Sequence, residues 1–102
     1  MTSFKVILSS TAQSDLAECV AFVLNVSKEA AYNLANEIYA SIESLKDFPE
    51  KNPLFNMPKS FPYQIRKQVI SSRYIALYSV EGDCVIIYRI LDARRRFDGR
   101  VL

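Results

Sequence analysis

The chain has no histidine and no tryptophan, and only two glycines, two cysteines and four prolines. Each scarcity excludes something. Histidine is the usual proton handler near neutral pH and the commonest metal ligand. Without it, Ser–His and Cys–His nucleophile systems and ordinary zinc sites drop out. Cys19 and Cys84 lie far apart in apolar surroundings and read as small buried hydrophobes. A disulfide between them has no support in a cytosolic chain. So little glycine and proline argues against a long disordered tail. No apolar run approaches a membrane span. The start, MTSFKVILSS, lacks the charged segment and long apolar stretch of a signal peptide. The expectation is a cytoplasmic protein with no membrane association, no cofactor and no metal.

What is present fits one compact unit. A length of 102 residues suits a single domain, 1–102, and a half-hydrophobic composition can bury a core without staples. Phe4, Val6 and Leu8 alternate with Lys5 over 4–8, which predicts a short strand. Ser10 opens a helix, with Gln13 three positions on to complete a capping box. Leu16, Val20, Val23 and Leu24 form its apolar stripe, and it stops near Asn25–Ser27. A second helix is expected from about Ser27 to Asp47. Ala31, Leu34, Ala35, Ile38, Ile42 and Leu45 share one face of it. Phe48-Pro49 ends it, since the residue before a proline is pushed out of the α region.

Residues 50–62 hold three prolines and no periodicity, and read as a loop. Three strands are expected after it, at 63–70, 73–80 and 84–91, the last two joined by a tight turn centred on Gly82. The run 84–91 is nearly all apolar, which suits a central strand covered on both faces. The expected class is α+β in the order β-α-α-β-β-β, with a helical hairpin packed on one face of a small, curved, mainly antiparallel sheet. On strand 63–70 the alternation predicts Tyr63, Ile65 and Val69 inward. Gln64, Arg66 and Gln68 then face outward.

The net charge of +2 hides an uneven distribution. Residues 1–50 carry three bases against seven acids, a net −4. Residues 51–102 carry ten bases against four acids, a net +6. Four arginines crowd RILDARRRF at 89–97, with Asp92 placed to pair with a neighbour. Such a cluster is either a solvated chain end or a seat for something anionic, whether nucleic acid or an acidic protein.

The element order, the strand Tyr63-Gln-Ile-Arg66, the strand Tyr74-Ile-Ala-Leu-Tyr78-Ser-Val and the exit Ile90-Leu91-Asp92-Ala93-Arg94-Arg95 together resemble the RelE/ParE superfamily of bacterial toxins. The resemblance spans essentially the whole chain. It implies the toxin half of a type II toxin–antitoxin (plasmid stabilisation) module, held inactive by a cognate antitoxin whose C-terminal segment wraps it. RelE-like members cleave mRNA, usually on the ribosome; ParE-like members inhibit DNA gyrase. Assembly would be a homodimer or a toxin–antitoxin hetero-oligomer.

Cleaving RNA through its own 2′-hydroxyl requires a base, an acid and cations at phosphorus. The resemblance places the RelE-like basic positions on Gln64, Arg66, Ile75 and Arg94, so only Arg66 and Arg94 remain as catalytic candidates. Neither is a base, because a guanidinium stays protonated. The C-terminal tyrosine of RelE-like enzymes has no counterpart, as the last tyrosine is Tyr88. The other proton handlers, Tyr63, Tyr78, Tyr88, Glu81 and Asp92, read more simply as aromatics, a turn acid and an arginine partner. This pattern favours the ParE-like branch. Arg66, Arg73, Arg94, Arg95 and Arg96 would then bind an anionic partner or nucleic acid on one common patch. Two alternatives stand beside it: a ribosome-dependent mRNA interferase, and a non-toxic binding module acting in operon autorepression.

Overall fold

The computed structural model describes residues 3–57 and 62–94. Arg95 and Arg96 therefore lie outside the described residues. The elements are β1 (Lys5–Leu8), α1 (Ser10–Leu24), α2 (Lys28–Glu43), β2 (Arg66–Ile70), β3 (Tyr74–Glu81) and β4 (Cys84–Asp92), with 3-10 turns at Ser44–Lys46 and Pro49–Lys51. The four strands form one sheet in the order β1-β4-β3-β2. The last three make the expected antiparallel meander, while β1 pairs parallel with β4. The apolar run at 84–91 thus belongs to an interior strand, flanked by β1 and β3. No helix among the described residues is long and apolar enough to cross a membrane.

Capping sets the helix starts. Ser9, not a Ser10–Gln13 box, caps α1: its Oγ accepts from the Ala12 amide at 3.0 Å, and the Gln13 amide turns back to the Leu8 carbonyl at 3.2 Å. Ser27 caps α2 in the same way through the Ala30 amide at 3.1 Å. Only the segment Asn25–Ser27 separates the helices, so they return antiparallel as a hairpin. The α2 stripe is as expected: Ala31, Leu34, Ile38 and Ile42 are buried. The helix ends at Glu43, and the 3-10 turn after it carries Leu45 into the core. On α1 the stripe is Ala12 and Leu16 with Val20 and Val23 partly covered, whereas Leu24 is exposed.

The core lies between the hairpin and one sheet face. Leu16, Leu34, Ile38 and Ile42 pack with Ile70, Tyr74, Ala76, Tyr78, Val85, Ile87 and Ile90. Each large side chain so buried contributes about 1.5–3 kcal/mol. The inward positions on β4, Val85, Ile87 and then Ile90, break the period of two. The cause is a β-bulge: Leu77 faces Arg89 and Tyr78 faces Ile87, so Tyr88 is the extra residue.

The phase expected for β2 is reversed. Ile65 is buried as expected, but Val69 is 57% exposed and Ile70 is in the core. Gln68 points at α2, donating to Ser41 Oγ at 2.9 Å. Adjacent apolar residues at 69 and 70 leave the alternation ambiguous, and hydrogen bonding decides it. A buried amide is tolerated once its donors and acceptor are matched; here Asn52 Nδ2 donates to Gln68 Oε1. The expected loop is also partly ordered, with Leu54 bridging Arg66 and the Lys67 amide donating to Pro53 O.

The β2–β3 turn is strained. Ser71 (φ 55°) and Ser72 (φ 54°) are both left-handed, and the Arg73 amide closes on Ile70 O at 3.1 Å. A turn with two left-handed central residues prefers glycine or asparagine, and a residue with a Cβ loses about 1–2 kcal/mol there. Ser72→Gly is therefore expected to raise stability by about 1 kcal/mol. A melting temperature that fails to rise would show that the turn is not under strain.

Candidate functional site: the arginines and the sheet ends

The structure separates the arginines that the sequence groups. Arg89 is internal. Its Nε donates to Asp15 Oδ2 at 2.7 Å and its Nη2 to Asp15 Oδ1 at 3.2 Å. Asp15 Oδ2 also accepts the Ile90 amide at 3.0 Å, so one carboxylate on α1 satisfies the stretch of β4 beyond the end of β1. Hydrogen bonding to that carboxylate pushes the Arg89 guanidinium above its usual range. Arg89 holds helix to sheet.

Arg94 follows β4 and closes on Asp92. Its Nε donates to Oδ1 at 3.0 Å, its Nη2 to Oδ2 at 2.8 Å, and its backbone amide to Oδ1 at 2.9 Å. These hydrogen bonds raise its pKa further. The Asp92–arginine pairing is therefore as expected. Arg73 stands at the same end, where the Ala93 amide donates to Arg73 O at 2.7 Å. Its guanidinium carbon lies 5.9 Å from the Tyr74 ring centroid, within cation–π range.

Arg66 is elsewhere. It faces Tyr78, whereas Asp92 faces Tyr74, and Arg94 lies two residues further on. The four strand positions from Tyr78 to Tyr74 amount to about 13 Å. Arg66 Nη1 donates to Asn52 O at 2.7 Å and Glu50 O at 3.2 Å, bracing the Pro49–Lys51 turn. Among the described residues, Arg66 does not join Arg73 and Arg94 in the single patch expected from outward-pointing arginines. Arg73 and Arg94 share one end of the sheet, and Arg66 lies apart from them along it. The correction follows from register, which strand periodicity alone does not reveal.

The proton handlers are held as well. Tyr78 is fully buried, donating to Pro49 O at 2.5 Å and accepting from Asn52 Nδ2 at 3.0 Å. Burial pushes its phenol up, and does the same to Tyr74 and Tyr88. All three remain protonated at neutral pH. Glu81 Oε2 accepts from Ser79 Oγ at 3.0 Å and Tyr88 OH at 3.2 Å, a triangle that no sequence signal marked. Gln64 lines a cleft with Tyr63 and Arg66, and Ile75 pairs with Val69 and Leu91. No group of metal-binding side chains occurs among the described residues.

A second concavity lies between the helices. An apolar groove of about 630 Å³ is lined by Leu16, Ala17 and Val20 of α1, Ala35 and Tyr39 of α2, and Leu8 of β1. The Tyr39 ring is exposed there.

Comparison with known proteins agrees with this architecture. The family model described as the ParE toxin of the type II toxin–antitoxin system parDE matches residues 6–97. A solved chain of the chromosomal ParDE toxin–antitoxin system from P. aeruginosa is similar, with a TM-score of 0.69 at 18% identity over 88% of this chain and 96% of that one. A copper-bound mutant toxin from Helicobacter pylori aligns at 16% identity over 92% of this chain and 99% of that one, TM-score 0.49. A conserved hypothetical protein from the same organism, solved in solution, aligns at 20% identity with the same coverages and TM-score. No curated protein sequence matches. With the family model covering nearly the whole chain and the helical hairpin seated on its four-stranded sheet, this protein belongs to the ParE toxin family of type II toxin–antitoxin systems.

Proposed function

We propose that the protein arrests growth by binding DNA gyrase, without nuclease chemistry, and that a cognate antitoxin neutralises it in the cytoplasm as part of a plasmid-stabilisation type of module. The observation that carries this reading is the condition of the positions where RelE-like enzymes keep their catalytic bases. Gln64 and Ile75 are neutral, Arg66 braces a turn, and Arg94 is closed on Asp92, past the end of β4 and four strand positions or more from Arg66. Catalysis of 2′-hydroxyl attack requires a base within hydrogen-bond reach of the reacting oxygen. Burial pushes the phenols of Tyr74, Tyr78 and Tyr88 up, away from that role.

The exposed Arg73–Arg94 corner, continued by Arg95 and Arg96 in the sequence, supports docking to an acidic surface or a DNA backbone. The groove at Ala17, Val20 and Tyr39 supports a polypeptide partner, and the antitoxin is the partner this family implies. The test is a supercoiling assay with purified gyrase, run beside primer extension on mRNA from arrested cells. Inhibition of supercoiling with uncut transcripts is expected. Arg73→Glu with Arg94→Glu should raise the protein concentration needed by about tenfold or more. Unchanged supercoiling with codon-placed cuts would transfer the reading to an mRNA interferase acting on the ribosome. Normal growth on overexpression, with repression of the operon, would transfer it to a non-toxic binding module.

A further inference from the structure

Arg73 and Arg94 leave the same end of the sheet in different states. Arg94 is engaged along one edge of its guanidinium. Nε and Nη2 donate to the two oxygens of Asp92 at 3.0 and 2.8 Å, and its backbone amide adds a third bond at 2.9 Å. Asp92 is held in turn. Its side chain is 20% exposed against 63% for Arg94, and its backbone pairs with Tyr74 at the last position of β4. Arg73 is exposed and forms no ion pair among the described residues. Its guanidinium carbon stands 5.9 Å from the centroid of the Tyr74 ring. Burial pushes the Tyr74 phenol up, and the charges of Arg73, Asp92 and Arg94 all act on it, so the three stand about one ring.

An anion reaching this corner meets one open cation and one that is already paired. The edge of Arg94 that Asp92 fills is the fork that carboxylates and phosphates use for two-point binding. A carboxylate from outside offers that fork nothing that Asp92 lacks. Asp92 also competes from the same chain, where its effective concentration far exceeds that of a dilute solute. An isolated phosphate meets the same rival. A nucleic-acid backbone differs in two ways. Its phosphates come in a row, so one seats on Arg73 while the next is held beside Arg94. Its condensed counterions are released on contact, a gain that a peptide carboxylate does not bring.

We propose that Asp92 is a built-in plug on this corner, which withholds Arg94 from isolated anions and yields it to a nucleic-acid backbone already seated on Arg73. The proposal rests on the reading of the corner as a docking surface, and it holds whether or not gyrase is the target. It divides the labour between the two arginines: Arg73 is the seat, and Arg94 is the second contact, made only when Asp92 is displaced.

The probes are inorganic phosphate, oligoglutamate and a short DNA duplex, titrated into the full chain while the Nε–H signals of Arg73 and Arg94 are followed. Phosphate should shift Arg73 alone, and duplex should shift both. Asp92→Asn keeps the shape of the side chain and an acceptor for the Arg94 amide. It should open Arg94 to phosphate and tighten duplex binding about three- to fivefold, the scale of an exposed ion pair. Asp83→Asn removes the same charge at the β3–β4 turn, the other end of β4, and should change duplex binding by less than about 1.5-fold, because salt screens it. If Asp92→Asn loses its fold, Arg73→Gln carries the test: without the seat, duplex should no longer shift Arg94. Equal gains from Asp92→Asn and Asp83→Asn overturn the proposal. So does a shift of Arg94 in the unaltered chain by phosphate alone, or by oligoglutamate as strongly as by duplex. So does the absence of any response to duplex; supercoiling still inhibited in that case would leave the gyrase reading standing without it.

Discussion

Asp15→Ala should destabilise the fold by about 3 kcal/mol, as expected when one partner of a largely buried ion pair is removed. The carboxylate does two jobs from one place on α1. It neutralises Arg89, and it accepts the Ile90 amide where β4 has outrun β1. Its side chain is 12% exposed and that of Arg89 is 25%, so water replaces these bonds poorly. Removing it takes the paired carboxylate from Arg89 and the acceptor from the Ile90 N–H. For a chain of this size the melting temperature should fall by roughly 12–24 °C. Arg89→Met is expected to cost less, because Asp15 keeps the Ile90 amide and the stem of the side chain is retained. Urea melts of both single variants and the double variant close the cycle. A loss below about 1 kcal/mol for Asp15→Ala would mean the contact is ornamental.

Tyr78→Phe is the second large effect, about 1–3 kcal/mol for the deletion of one oxygen. The ring stays in the core beside Ile38 and Ile87, so no cavity forms. What is lost is the hydroxyl that donates to Pro49 O and accepts from Asn52. Asn52 also donates to Gln68 Oε1, and its carbonyl receives Arg66, so the damage should spread to the turn at Pro49–Lys51. Faster amide exchange around that turn, and not in α1, is the expected signature. The variant also has a pH consequence. The folded phenol titrates above its ordinary value of about 10, so its contribution is full below that pH and is lost as pH rises through the folded value. Tyr78→Phe should therefore narrow the stability gap between neutral and strongly alkaline solution. An unchanged alkaline slope would point to Tyr74 and Tyr88 instead.

Both effects sit on contacts between residues distant in the chain. Asp15 and Arg89 are 74 positions apart, and Asn52 and Tyr78 are 26. Local patterning carries no trace of such pairs. The Ser79–Glu81–Tyr88 triangle depends on a bulge whose position follows from how β3 and β4 register, since an extra residue in one strand re-aims every side chain after it.

Periodicity and end signals were enough for the elements themselves. The three-and-four spacing of Leu34, Ile38 and Ile42, the serine ahead of each helix, Pro49 behind the second and Gly82 between two apolar runs determine a βααβββ chain, because helix and strand periods are local properties of the backbone. The absence of histidine likewise settles which proton chemistry is out of reach. Tertiary structure decided the rest: that β1 joins β4 in parallel, that Gln68 faces inward and Val69 outward, that Arg89 is tied to Asp15, and that Arg66 and Arg94 lie apart along the sheet. Charge placement depends on strand register and on which buried polar groups find partners. Both are fixed only when the hairpin closes on the sheet.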